Sequence, residues 1–353
     1  MRFILSFALL FIFAATAAAE TNPTPAACWG PLDLAAKADE STPHRGAQSI
    51  APPKRTLAEF TPAVQRGAVR RVKLPPGKKL IALTFDLCEQ PFEIAGYQGG
   101  IVDFLRKNGI RATFFMGGKW TLSHRDRAQQ LMSDAQFEVA NHSWEHRNLR
   151  QLDGQALIDE IKNAQFAYED VRAELEAKQC TAPGTGALAH EQAPKRLGLF
   201  RFPYGACNAK ALDEVAAQGL LPIQWDVSSG DPTRSESAAA MKRQVLTHAQ
   251  PGSIVLFHAN GRGWHTEAAL PEIVTALATQ GYEFVTVSEL LAAGEPVMTA
   301  SCYDDRPGDT DRVAFLNRPK AEAPATGANV FTALFPWLHP APAARAAAPK
   351  RSR

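Results

Sequence analysis

The stretch Leu80–Glu93, LIALTFDLCEQPFE, passes from an apolar strand directly into an aspartate, a cysteine and two glutamates. The apolar part predicts a strand, and the polar groups begin where that strand ends. A carboxylate beside a thiol at a strand end marks a candidate site. The fold and the site are therefore best worked out from the residues around this stretch.

Strand-like and helix-like segments alternate on both sides of it. The predicted strands are 79–86, 111–116, 137–142, 198–205, 221–227, 252–258 and 282–287. The predicted helices are 100–108, 124–134, 155–178 and 209–219, with two more beginning near Ser235 and Thr266. Such alternation predicts an α/β fold with a largely parallel sheet. Periodicity does not decide whether the sheet is open or closed into a barrel.

The two ends of the chain differ from this region. Residues 1–19 have one Arg, an apolar run and an Ala-Ala-Ala ending, which predicts a signal peptide and a secreted or periplasmic protein. The alternative is an uncleaved anchor, although the run is barely long enough to span a bilayer. We expect an irregular segment over 20–75, the main domain over 76–295, and a Pro/Ala-rich tail over 296–353 in which Val330–Leu338 docks on the domain.

Composition limits the classes of partner. The 353 residues are 45% hydrophobic and 21% charged, with a net charge of +2, as in ordinary globular proteins. This charge gives no reason to expect a nucleic acid or an anionic membrane surface as partner. After signal cleavage we expect no stable membrane insertion. The oligomeric state is not indicated.

The cysteines predict disulfides together with one free thiol. All five lie beyond the predicted signal peptide, in a chain expected to be exported, and an odd number leaves one unpaired. Their positions in the sequence suggest the pairs Cys28–Cys302 and Cys180–Cys207. Cys88, within the opening stretch, is then the free thiol.

Titratable residues recur where the predicted strands end. They are Asp86, His142, Arg201, Asp226, Asp231 and His258. Sites of α/β proteins lie at the carboxyl ends of the strands, so these residues are expected to share one site. His142 and His146 are four residues apart, and on a helical turn both rings would lie on one face and bind one metal ion.

Five short motifs occur in order along the chain. They are TFDLCE at 84–89, HSWEH at 142–146, RFPYG at 201–205, WDVSSGD at 225–231 and VLFH at 255–258. In this order they resemble the motifs of the polysaccharide deacetylases with a NodB homology domain, carbohydrate esterase family 4. The resemblance covers roughly residues 79–291. It implies a distorted (β/α) barrel with an open groove, and hydrolysis of N-acetyl, sometimes O-acetyl, groups on sugars.

The resemblance also implies a role for each matching residue. His142 and His146 would bind a divalent metal, zinc in the first place, with cobalt, manganese or nickel as alternatives. The other implied roles are general base for Asp86, orientation of that base for Arg201, an oxyanion contact for the Tyr204 backbone N–H, general acid for His258, and orientation of the acid for Asp231. Asp226 is equally well explained as a turn or cap residue.

The first motif departs from the family pattern TFDD, whose second aspartate is a metal ligand. Leu87 stands there and offers no lone pair. Three possibilities follow. The metal is bound by the two histidines and water, or Cys88, Glu89 or Glu93 joins the histidines as a third ligand. In the third case no metal binds. A regular strand would put Cys88 on the side of Asp86; Glu89 falls on the side of Leu87 and is the preferred replacement. The fourth motif also departs, with Pro232 where a Trp usually follows.

The expected function is thus that of an exported, metal-dependent hydrolase that removes acetyl groups from a polysaccharide or oligosaccharide. The first alternative is a non-catalytic carbohydrate-binding protein with a degenerate site, which keeps the groove. A second is hydrolysis of a cyclic amide, which the predicted export disfavours. The sequence does not indicate which acetylated glycan is bound.

Overall fold

The computed structural model describes residues 25–46, 50–54, 67–300 and 302. The predicted signal peptide and most of the predicted tail, including Val330–Leu338, lie outside these residues. Among the described residues, none of the helices has both the length and the hydropathy required to cross a membrane.

Twelve strands and nine α-helices are present in the described residues. The strands are β1 His44–Arg45, β2 Ala68–Lys73, β3 Leu80–Leu87, β4 Glu93–Ile94, β5 Ala112–Met116, β6 Phe137–Asn141, β7 Leu199–Phe200, β8 Leu221–Pro222, β9 Val227–Ser228, β10 Ile254–His258, β11 Glu283–Phe284 and β12 Glu295–Thr299. The helices are α1 Pro31–Leu34, α2 Gly99–Lys107, α3 Gly118–Ser123, α4 Arg125–Ser133, α5 Gly154–Ala177, α6 Ala209–Ala217, α7 Ala238–His248, α8 Thr266–Thr279 and α9 Val287–Ala292.

The main sheet is parallel throughout. Its strands follow the order β8-β7-β6-β5-β3-β10-β9, and β11 pairs with β3 in addition. The two edge strands β8 and β9 are joined by residues 223–226 alone, and β2 forms bridges near both edges, Val69 with Ile223 and Arg71 with Ser253. The sheet is thus curled towards closure, which confirms the predicted distorted α/β barrel.

Strand β3 shows how the sequence produces this arrangement. Leu83, Phe85 and Leu87 alternate along it and belong to one apolar core cluster. Thr84 and Asp86 point the other way, where both contact Arg201. Because side chains alternate along a strand, one face of β3 packs the core and the other supplies the site.

Helix positions agree well with expectation. Helix α5 buries the stripe that predicted it, including Leu157, Ile161 and Val171. Asn208 caps α6 and Ser237 caps α7, each with its side-chain oxygen accepting a backbone N–H three residues on.

Several strands are shorter than predicted. The strands in the segments 198–205, 221–227 and 282–287 are each only two residues long. Two of these segments contain Pro203 or Pro222, and proline has no N–H to donate to a neighbouring strand. The residues past these short strands form the loops that carry the site.

The segment predicted to be irregular contains a strand. Residues Ala68–Lys73 form β2, which pairs antiparallel with β12, Glu295–Thr299, in the predicted tail. This pairing corrects the expectation of an irregular segment up to residue 75. It joins parts of the chain more than 200 residues apart, so no local pattern indicated it.

The predicted disulfide pairing was wrong, and the predicted free thiol is confirmed. The bonds are Cys28–Cys180 and Cys207–Cys302, and Cys88 is free and buried. The first bond attaches the segment before the barrel to the end of α5. The partners come together through the tertiary fold, so separation in sequence was a poor guide.

Loss of the Cys207–Cys302 bond is expected to destabilise the fold. Replacing both residues with Ser releases a loop of 95 residues, and we expect the free energy of unfolding to fall by about 2–5 kcal/mol. Urea unfolding of the variant and the parent measures this difference. An unchanged denaturation midpoint, or a thiol count other than one per chain in the denatured, non-reduced parent, would contradict the assignment.

Candidate active site

Strand register places the site residues next to each other. Asp86 at the end of β3 lies directly opposite His258 at the end of β10. Asn141 of β6 pairs with Phe200 of β7, so the following residues, His142 and Arg201, are neighbours as well. All of these positions are at the carboxyl ends of parallel strands, as predicted.

Asp86 is a buried carboxylate held by a buried cation. Arg201 Nη1 donates to Asp86 Oδ1 at 2.8 Å and to Thr84 Oγ1 at the same distance, and Arg201 is fully buried. Burial by itself would raise the pKa of Asp86, but His142 and Arg201 together outweigh burial and hold the pKa below its usual value. Asp86 is therefore ionised at neutral pH and able to accept a proton.

Arg201 is fixed from several directions. Its Nε and Nη2 donate to the backbone carbonyls of Ile223 and Gln224, and its guanidinium lies 3.9 Å from the ring centre of Phe115. A side chain held in this way cannot rotate away from Asp86 without breaking several contacts. The structure thus brings Arg201 and Asp86 together as the resemblance implied.

The two histidines approach each other through a loop and not through a helical turn. After β6 the chain is irregular, and Ser143 and His146 adopt positive φ angles of 65° and 59°. This corrects the predicted helical turn. The left-handed residues bend the loop so that the ring centroids of His142 and His146 lie 5.0 Å apart, and such backbone strain is common at functional sites.

Cys88 joins the histidines. One ligand atom each of Cys88, His142 and His146 lies within 4.8 Å of the others, the only such His/Cys/Asp/Glu group of three or more within the described ranges. His142 Nδ1 lies 2.9 Å from the carbonyl of Arg201, while its Nε2 is buried without a hydrogen-bond partner in the described part of the chain. His146 Nδ1 is likewise buried and unbonded there. A soft thiolate-and-imidazole set with unused nitrogens fits a divalent metal such as zinc.

Glu89 lies in a different environment. Its Oε2 accepts hydrogen bonds from the Ala95 N–H at 3.0 Å and from Ser123 Oγ at 2.7 Å. Its Oε1 lies 3.5 Å from Lys119 Nζ, which also donates to two carbonyls of the loop that follows β3. These contacts correct the preference for Glu89 as third ligand, because its carboxylate anchors that loop.

Glu93 is also engaged elsewhere. Its carboxylate pairs with Arg262, in the loop that follows β10. Of the three side chains considered as replacements for the missing aspartate, Cys88 alone is grouped with the histidines.

His258 and Asp231 form the other half of the site. Asp231 Oδ1 accepts from His258 Nδ1 at 2.8 Å, and Oδ2 accepts from the His258 backbone N–H at 2.7 Å. Burial lowers the pKa of His258, but the charge and hydrogen bond of Asp231 raise it by more, so the pKa lies above its usual value. With Nδ1 facing Asp231, Nε2 is the nitrogen left to act on a substrate.

Asp226 has a structural role. It accepts from Ser253 Oγ at 2.8 Å and from the Ile254 N–H at 2.9 Å, and burial raises its pKa to about 6. It thereby fixes the start of β10 and is not grouped with the site. Of the two carboxylates in the fourth motif, Asp231 faces His258.

The acid role that the resemblance implies for His258 predicts that Asp231→Asn shifts the pH profile of acetate release. His258 must be protonated to act as an acid, so activity falls as pH rises through its pKa. Since Asp231 raises that pKa, the variant should lose activity at lower pH than the parent, and its kcat at neutral pH should fall at least about 10-fold. Asp226→Asn, which keeps an acceptor oxygen, is the matched control. An unmoved alkaline limb in the first variant would contradict the role of Asp231.

Tyr204 lies beside the group formed by Cys88, His142 and His146. Its ring packs edge-on against that of His146, with centroids 4.4 Å apart, and its hydroxyl accepts a long bond from Gln90. Its φ of 59° is left-handed and costs a non-glycine residue about 1–3 kcal/mol. The backbone of Tyr204 is therefore held in an unusual conformation at the site, and its role as an oxyanion contact remains a prediction.

Three polar residues of the site were missed in the sequence. Thr84 accepts from Arg201 and donates to the Val255 carbonyl, and Thr266 Oγ1 donates to Asp231 Oδ2 at 2.8 Å. Asn260 Nδ2 donates to the carbonyl and the Sγ of Cys88. Thr84 could have been found, because it lies two residues before Asp86 on the same face of a strand. The contacts of Thr266 and Asn260 depend on how the folded chain is arranged, so the sequence did not indicate them.

Comparison with known proteins decides the family. Residues 73–223 match the family described as "Polysaccharide deacetylase", and the fold agrees with solved members of carbohydrate esterase family 4. Residues 73–223 belong to the polysaccharide deacetylase family. The matched segment includes the first three motifs and ends before Asp231 and His258.

Individual relatives match this chain over part of its length. The peptidoglycan-N-acetylglucosamine deacetylase PgdA of Listeria monocytogenes is 30% identical over 71% of this chain and 48% of its own length. The chitooligosaccharide deacetylase of Azorhizobium caulinodans is 27% identical over 60% of this chain and 93% of its own. The chain thus spans about half the length of PgdA.

A solved structure is also similar. It is an activity-restored mutant of a CE4 family pseudoenzyme from Bacillus anthracis, 26% identical, covering 65% of this chain and 72% of its own, with a TM-score of 0.51. The family therefore includes members described as inactive, so activity has to be argued from the residues of this chain.

Proposed function

We propose that this protein is an exported, metal-dependent deacetylase that hydrolyses N-acetyl groups, and also accepts O-acetyl groups, on a polysaccharide or oligosaccharide. The observation that carries the proposal is the pairing of an ionised, Arg201-bound Asp86 with an Asp231-bound His258 on adjacent strand ends. A base and an acid with oppositely shifted pKa values are what amide hydrolysis needs.

Each side chain has one task in the proposed reaction. His142 and His146 would hold a divalent metal, which would supply polarisation of the acetyl carbonyl and a lower pKa of bound water. Asp86 takes the proton from the attacking water, and Arg201 keeps the Asp86 carboxylate in position. His258 donates a proton to the leaving amine, and the Tyr204 N–H contributes an oxyanion contact. When acetate leaves, Asp86 is protonated and His258 is neutral, and loss of the Asp86 proton to solvent and uptake of a proton by His258 restore both groups.

Export is supported by the cysteines. Two disulfides join the described residues, and such bonds persist in oxidising compartments. Together with the signal-like sequence of residues 1–19 they favour a periplasmic or secreted protein. The relatives named for peptidoglycan and for chitooligosaccharides make N-acetylglucosamine polymers the first substrates to test.

The test is release of acetate from defined substrates. The protein, as matured by cleavage after residue 19, would be incubated with peptidoglycan, chitin oligomers and acetylated xylan in the presence of zinc. Mass spectrometry would detect the loss of acetyl groups, and Asp86→Asn is the control. Deacetylated product from the parent but not from the variant is the expected result.

The competing function is glycan binding without catalysis. Leu87 in place of the family's metal-binding aspartate, and the likeness to a pseudoenzyme, are the observations that favour it. Binding of a glycan with no acetate released from any member of the panel would establish that alternative and end the proposal.

A further inference from the structure

We propose that Cys88 is a metal ligand and that this site is a His₂Cys centre, in which a thiolate replaces the carboxylate ligand of the family. The inference deepens the proposed function, since it concerns the same cation, but its evidence is independent of catalysis. It predicts a centre that favours soft or borderline ions, zinc and cobalt, over manganese and magnesium.

The course of β3 explains why the replacement ligand stands at position 88 and not at position 87. The strand continues without a bulge through Leu87, which is fully buried in the apolar core with Phe85. A ligand at residue 87 would therefore point away from the histidines. Cys88 is the next residue on the face of Asp86, and its side chain reaches the metal-binding group.

Cys88 differs from a cysteine that merely fills space. It is 3% exposed, yet it belongs to none of the three apolar core clusters. Its sulfur lies beside two imidazoles and accepts a hydrogen bond from Asn260 Nδ2 at 3.1 Å. Burial raises the pKa of the Cys88 thiol, so the thiolate would form only as the ion binds, and the Asn260 donor would then support it as outer-shell partners of metal ligands do.

The histidines supply the second, independent observation. His142 is 1% exposed, and its Nε2 lies 3.4 Å from Asp86 Oδ2 but makes no hydrogen bond within the part of the chain that the structure describes. Its Nδ1 faces the Arg201 carbonyl, which fixes the tautomer with a free lone pair on Nε2. A buried nitrogen with an unused lone pair is costly unless a ligand occupies it.

The spacing is compatible with one ion. Ligand atoms on a tetrahedral zinc lie about 3.3–3.8 Å apart, given its bond lengths to nitrogen and sulfur. The three atoms here lie within 4.8 Å of one another, so movements of about 1 Å would complete the centre. Binding converts the thiol to a thiolate and releases one proton to solvent.

Cobalt substitution tests the assignment directly. The mature protein would be stripped of metal and titrated with cobalt(II) under anaerobic conditions. We expect one cobalt per chain and a near-ultraviolet thiolate-to-cobalt charge-transfer band. Because the other four cysteines are in disulfides, the band can come only from Cys88. Stoichiometric cobalt without this band would overturn the proposal.

Three variants complete the experiment. Cys88→Ser should lose the band. Loss of an outer-shell partner lowers metal affinity about 10–100-fold, and the loss of zinc affinity in Cys88→Ser should be larger than that. Cys88→Asp should bind the ion without the band and shift its preference from zinc towards manganese. Glu89→Gln is the matched control and should keep the band. Unchanged zinc affinity in Cys88→Ser would also overturn the proposal.

The outcomes separate this inference from the proposed function. A thiolate band with no acetate released from any glycan would support the metal centre and refute the deacetylase. Acetate release by a protein whose bound cobalt shows no thiolate band would support the deacetylase and refute the His₂Cys metal centre.

Discussion

Asp86→Asn is expected to lower kcat for acetate release by about 10²–10⁴-fold, the usual contribution of a general base. The amide cannot take the proton from the attacking water, whereas the surrounding loops keep their positions. The pKa of Asp86 lies below its usual value because His142 and Arg201 outweigh the effect of burial. The parent should therefore have its base fully ionised at neutral pH, and the loss of activity caused by protonation of Asp86 should occur only in acid.

The same variant is expected to be less stable. Asp86 is 3% exposed and its partner Arg201 is fully buried, and removing one member of a buried ion pair costs about 3–5 kcal/mol. Kinetics should therefore be measured well below the melting temperature, on protein whose folded fraction has been checked by circular dichroism. Turnover equal to that of the parent would show that another group is the base.

His258→Gln is expected to have an effect of similar size, about 10²–10⁴-fold on kcat. The departing amine would have to leave without a proton, and the alkaline limb of the pH profile assigned to His258 should disappear. An ester substrate provides the control, because its leaving alkoxide needs less help from an acid when the alcohol is acidic. The activity on an activated acetyl ester should fall much less than the activity on an N-acetyl sugar.

A uniform loss on both substrates would contradict this assignment. It would indicate that the His258 ring supports the structure of the site, through the bond of its Nδ1 to Asp231, and does not donate a proton.

The sequence was informative where the evidence is local. The apolar run before Asp86, the stripe of α5 and the cap at Asn208 each depend on neighbouring residues, and the structure has all three. The order of the five motifs then indicated which strand ends would meet. Asp86, Arg201, His142 and His258 do lie together, because parallel strands deliver their carboxyl ends to one edge.

The sequence was uninformative where the evidence is not local. The disulfide partners and the β2–β12 pair are joined across long stretches of chain. The histidine spacing suggested a helical turn, whereas two left-handed residues make the loop.

The choice between Cys88 and Glu89 depended on how far β3 continues. The strand persists through Leu87, which places Cys88 with the histidines, while Glu89 is bound by Ser123 and the backbone of Ala95. A contact with a distant helix therefore decided the role of a residue that looked like a ligand in the sequence.

Anomalous diffraction at the zinc edge, from crystals of the zinc-loaded mature protein, tests the central claim most directly. The account predicts a single strong peak bonded to His142, His146 and Cys88. A peak elsewhere, or none at a saturating zinc concentration, would contradict it.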